Sequence, residues 1–139
     1  MDYLTEFQGR FIGIMQWDDC DALLEKLIAN PANDWYFYDT LLPLPQRTIN
    51  TDDLVKKLIK IHDILKAEHQ ERYCGIVYVD DLENPTFIKI FNPNNLGKAC
   101  GSSENPPIPQ WLLSKTKPED VIEKFAPVIE SKGFISKFF

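Results

Sequence analysis

Cys100-Gly101-Ser102-Ser103 is the stretch of this chain best equipped for nucleophilic chemistry. The glycine lets backbone N–H groups converge, and the two hydroxyls can assist a thiolate or hold an anion. A phosphatase-type loop carries an arginine six positions after its cysteine, where this chain has Pro106. Gly97-Lys98 likewise lacks the Ser or Thr that closes a phosphate loop. The plain alternative is a tight turn holding a small cysteine. His62 and His69, with Asp63, Glu68 and Glu71 nearby, are the only histidines and the candidate partners of Cys100. Placed on a helix at a spacing of seven, they share a face but lie about 10 Å apart along its axis, too far to chelate one metal together. An HExxH pattern needs a spacing of four, and the HxxEH alternative fails because residue 65 is Leu. The plain reading is a pair of half-exposed side chains flanking a buried stripe.

Tyr78-Val79-Asp80-Asp81 matches the Tyr-x-Asp-Asp hairpin of reverse transcriptases, whose adjacent carboxylates hold divalent ions. A chain of 139 residues is too short for a polymerase, and Asp-Asp ahead of Glu83-Asn84-Pro85 is ordinary turn chemistry. Seventeen residues are Phe, Tyr or Trp, enough to fill a core and leave some for a partner. Cys20, Cys74 and Cys100 are widely spaced with no CxxC pair, which fits free thiols in a reducing compartment. A structural zinc site has no support, and no metal or cofactor is expected.

The elements that must position these residues follow from periodicity. Arg10–Met15 reads as a first strand, and Asp18 or Asp19 as the cap of a helix with Cys20, Leu23, Leu24, Leu27 and Ile28 inward. Trp35–Tyr38 has strong strand preference, and the proline-rich Leu42–Pro45 behind it is a connector. Thr51 is expected to cap a long amphipathic helix running to about Arg72, with Leu54, Leu58, Ile61 and Leu65 inward. Ile76–Val79 and Thr86–Phe91 form a hairpin. Residues 92–109, rich in Asn, Pro and Gly, read as one long loop, and such loops are often functional. Gln110–Leu113 re-enters the sheet. Pro118 begins a last helix with Val121, Ile122, Phe125, Val128 and Ile129 inward, and Phe134–Phe139 folds back on the core.

These elements imply one α+β domain over residues 1–139, two layers deep, with a mainly antiparallel sheet packed against one long and one or two shorter helices. The charge is −6, and the acidic residues dominate the first quarter of the chain. That balance disfavours nucleic acid, and Lys56, Lys57, Lys60 and Lys66 read as a solvated helix face. No apolar run approaches the roughly 20 residues needed to cross a bilayer. The expectation is a small soluble, cytoplasmic protein-binding or accessory domain without catalysis. It would be a monomer, with a homodimer as the alternative. Its contact surface would comprise Asn94, Asn95, Gly97, Gly101, Ser102, Ser103 and Trp111. Two rival readings are a small thiol-dependent enzyme using Cys100 with His62 or His69, and a carrier of a small ligand in an aromatic pocket.

Overall fold

The computed structural model describes residues 2–94 and 108–125. Its strands are β1 (Ile12–Ile14), β2 (Tyr36–Asp39), β3 (Val77–Val79), β4 (Phe87–Ile90) and β5 (Trp111–Ser114). They form one sheet in the order β1-β3-β4-β5-β2, antiparallel at every junction. The helices are α1 (Tyr3–Phe7), α2 (Trp17–Ala29), α3 (Thr51–Glu68) and α4 (Val121–Phe125). This is the α+β class with the antiparallel sheet that the sequence pattern implies. None of the helices, among the described residues, is long and apolar enough to cross a membrane.

Alternation along the strands divides the core in two. Ile88 and Ile90 of β4, Trp111 and Leu113 of β5, and Val77 and Val79 of β3 share one cluster with Leu23, Leu24 and Leu27 of α2 and Leu54, Leu58, Ile61 and Leu65 of α3. On the opposite face, Phe87 and Leu112 belong to a second cluster with Tyr3 and Phe7 of α1, Tyr38 and Val121. Phe87 is its hub: the rings of Tyr3, Phe7 and Phe11 lie 5.0, 6.3 and 5.5 Å away, tilted or edge-on as their quadrupoles favour.

Several element ends differ from the sequence expectation, each for a local reason. Asn50, not Thr51, caps α3. Its side chain accepts from the Asp53 N–H at 2.8 Å and donates to the Asp53 carboxylate at 3.0 Å, a reciprocal arrangement that Thr51 cannot make from inside the first turn. The helix stops at Glu68 rather than near Arg72, because residues beyond it are held by one local and one tertiary bond. His69 bonds the Cys74 carbonyl at 2.8 Å, and the Trp17 indole donates to the Glu71 carbonyl at 2.9 Å. Gln16 occupies the N-cap of α2 without a side-chain bond, leaving Asp18 and Asp19 in the first turn, where the helix dipole favours them. In α4, Val121 is buried as expected, but the adjacent Ile122 is 37% exposed, since neighbours along a helix cannot share one face. Val128, Ile129 and Phe134–Phe139 lie outside the described residues.

The Asp80-Asp81 pair does turn chemistry. Asp80 accepts from the backbone N–H groups of Thr86 at 2.9 Å and Phe87 at 3.0 Å, and from the Thr86 hydroxyl. Asp81 accepts from the N–H groups of Glu83 and Asn84, and those bonds lower its pKa. Both carboxylates are thus committed to closing the β3–β4 hairpin.

Candidate functional site

The described residues singled out for chemistry and binding fall at two places along α3. At its C-terminal end both histidines meet the start of α2. His62 Nε2 lies 2.7 Å from the Asp21 carboxylate, and Lys66 Nζ reaches the other carboxylate oxygen at 3.3 Å. Burial pushes the Asp21 carboxyl up, but the hydrogen bonds and charges of His62 and Lys66 outweigh it and leave its pKa lowered. His69 packs against the Trp17 ring at 5.9 Å, and the Lys66 ammonium sits 4.9 Å from the Trp17 ring centre. Each histidine therefore clasps α3 to a segment distant in sequence.

Beneath this clasp lies a feature the spacing of the cysteines did not disclose. Cys20, in the first turn of α2, and Cys74, just before β3, belong to the same buried cluster, at 0% and 2% exposure, and are not bonded covalently. The backbone explains how Cys74 comes to lie beside the segment that enters α2. Cys74 N–H donates to the Met15 carbonyl at 2.7 Å and Gly75 N–H to the Ile14 carbonyl at 2.9 Å, while the ladder pairs Ile14 with Val77. Two residues are thus looped out of register, and Gly75, at φ +68°, makes the turn that no side-chain-bearing residue adopts cheaply. The two thiols act on each other: Cys20 holds the Cys74 thiol below its usual value against the effect of burial, while Cys74 and burial push the Cys20 thiol up.

At the other place, α3 faces the ends of β2 and β5 across a cleft of about 180 Å³. Phe37 and Asp39 line it from β2, Lys57, Lys60, Ile61 and Ile64 from α3, and Asn92, Gln110 and Trp111 complete it. The ladder sets Asp39 opposite Trp111. The polar floor is tied together: Asn92 donates to the Gln110 side-chain oxygen at 2.9 Å, and the Gln110 amide reaches Asp39 at 3.4 Å. The Leu41 N–H takes the other Asp39 oxygen at 2.9 Å. Lys57 lies 5.8 Å from the Phe37 ring centre, and among the described residues neither Lys57 nor Lys60 makes an ion pair. From Asp39 the chain runs into Leu41 and Leu42, 70% and 58% exposed.

Of the residues expected at a contact surface, Trp111 lines this cleft, and Asn94 is exposed just beyond Asn92. Asn95, Gly97, Cys100, Gly101, Ser102 and Ser103 lie outside the described residues, so the pairing of Cys100 with a histidine does too. Sequence reasoning missed Lys57 and Lys60 as cleft residues because a lysine on an amphipathic helix reads as solvated. It also missed Lys89, on the central strand β4. The Lys89 ammonium lies 4.4 and 4.0 Å from the ring centres of Phe7 and Phe11, and burial pulls its pKa down to about 8. A lysine set inside an apolar strand with an aromatic two positions away on either side, Phe87-Ile88-Lys89-Ile90-Phe91, is the signal that could have found it. Compared with protein-family models, curated proteins and solved structures, the chain gives no significant match.

Proposed function

We propose that the protein is a binding domain that takes an extended segment of a partner protein, seating one large apolar side chain in the cleft and a neighbouring carboxylate on Lys57 and Lys60. The observation that carries this reading is the cleft's size together with its chemistry. A volume of about 180 Å³ suits a single side chain, whereas pockets for drug-sized ligands run to roughly 300–1,000 Å³. Size therefore favours a partner's anchoring residue over a carried small molecule. Phe37, Trp111, Ile61 and Ile64 supply an apolar wall of the kind that dominates interface energetics. The two lysines supply positive charge on a chain whose net charge is −6, so an acidic flank is selected locally. Leu41 and Leu42 extend the apolar surface beyond Asp39.

The test is a random peptide display selection on the intact protein, followed by affinity measurement with the enriched peptides. Sequences with a large apolar residue beside Asp or Glu are expected. Lys60→Glu, on an exposed side chain, should weaken them about tenfold, the equivalent of about 1.4 kcal/mol. Ile64→Arg should abolish binding while melting near the native temperature. Peptides that bind both variants as tightly as the native protein would place recognition elsewhere.

A further inference from the structure

We propose that Lys89 is a capture site for small apolar aldehydes, which its amine takes up reversibly as an imine. The site lies on the face of the sheet opposite the cleft and is independent of it. Ile88 and Ile90 belong to the cluster of α2 and α3, whereas Phe7 and Phe11, whose rings lie 4.4 and 4.0 Å from the Lys89 nitrogen, belong to the other cluster. The ladder sets Tyr78 on one side of Lys89 and Leu112 on the other. Gly13 lets the Tyr78 ring lie close over β1, since a Cβ at that position would stand 3.0 Å from the ring carbon Cε2. The amine is thus set among aromatic and apolar side chains. Among the described residues it makes no ion pair, unlike Lys66 and Lys115, which reach carboxylates. Lys89 is half-buried, so a small molecule can approach its nitrogen from solvent.

An amine in such surroundings gains from losing its charge. As an ammonium it gives up water for ring faces that repay only part of the loss. As a neutral imine it leaves no charge to desolvate, a gain that an exposed lysine does not share. Burial, which pulls its pKa down to about 8, also keeps about a tenth of it as free amine at pH 7, against about three in ten thousand for an ordinary lysine. The free nitrogen attacks the carbonyl carbon, the C=O electron pair moves to oxygen, and a proton passes from nitrogen to oxygen to give the carbinolamine. The hydroxyl then leaves with the second nitrogen proton as water, and the nitrogen lone pair closes the C=N bond. One amine and one aldehyde become one imine and one water, with no oxidant or reductant. The ring faces carry the negative part of their quadrupoles, so they favour an apolar substituent on the aldehyde and disfavour a carboxylate.

The experiment treats the full chain with benzaldehyde and sodium cyanoborohydride at pH 7, which reduces each imine to a stable benzyl amine, and follows every labelled amine by peptide mapping. A parallel reaction uses para-formylbenzoate, the same ring carrying a carboxylate. Benzaldehyde should label Lys89 at least about tenfold faster than exposed Lys56. The chain's α-amino group, with an ordinary pKa of about 8, is the reference for proton affinity alone. Lys89 should favour benzaldehyde over para-formylbenzoate more strongly than that group does. Phe11→Leu, at a half-buried ring, keeps the amine and should narrow the preference. Lys89→Met should melt no lower than native and should carry no benzyl group at that position. Labelling of Lys89 no faster than that of Lys56 would overturn the proposal. So would a preference between the two aldehydes equal to that of the α-amino group, or one that Phe11→Leu leaves intact.

Discussion

On the Lys89 ammonium two opposing effects meet, the loss of water and the faces of two phenylalanine rings. Burial pulls its pKa from the usual 10.5 to about 8, so the native state holds this proton less tightly than the unfolded chain. Below pH 8 both states are protonated and the native state bears the full cost. Between pH 8 and 10.5 the unfolded chain keeps a proton that the native state has released, and stability rises with pH. Cation–π attraction offsets only about 1–2 kcal/mol of the desolvation. Lys89→Met should therefore be more stable than native by about 1 kcal/mol at pH 7. In urea titrations that advantage should shrink from pH 8 to pH 10, and a variant weaker at pH 7 would mean the rings hold the charge outright. Asp21 behaves oppositely. Its lowered pKa contributes stability that is present above the unfolded carboxyl value and is lost as pH falls through the folded one. Asp21→Asn should cost about 1 kcal/mol at neutral pH. The difference from native should fade as pH falls through the lowered folded value, below which the carboxyl is protonated in both states. The partners His62 and Asp21 lie on different helices, 41 positions apart, so no local pattern joins them. The histidines could be read as half-exposed from spacing alone, but what they clasp could not.

Elements were legible where a period repeats and obscure where one turn or one tertiary bond decides. Leu54, Leu58, Ile61 and Leu65 announce α3, and all four are buried. Leu58→Ala should cost about 2–5 kcal/mol. Exposed Lys56→Ala should shift stability by less than about 0.5 kcal/mol. Asn50→Ala, which removes the observed cap, should cost about 1 kcal/mol, and Thr51→Ala distinctly less. Denaturant melts of the four variants check the face and the cap together: Leu58→Ala should be the weakest, Asn50→Ala next, and Thr51→Ala and Lys56→Ala closest to native. The five-residue α1 offers no such period. Its sign is Asp2, whose carboxylate takes the Thr5 N–H at 2.8 Å, and an isolated acid at a chain start is too common to read. Residues 69–74 follow a helical stripe closely enough to extend it on paper. The bonds of His69 to Cys74 and Trp17 to Glu71 pull them out of it, and the second depends on where α2 sits.

For the molecule as a whole, the decisive fact is the strand order, which sets β1 beside β3 although α2, β2 and α3 lie between them in sequence. Neighbouring hairpin arms such as β3 and β4 can be read from a turn between two apolar runs. The pairing of β1 with β3 rests on the entire chain having folded. The same topology carries Cys74 back to the end of β1, where its N–H donates to the Met15 carbonyl at 2.7 Å while the Gly75 N–H takes Ile14 at 2.9 Å, contacts between segments some sixty residues apart that no local pattern announces.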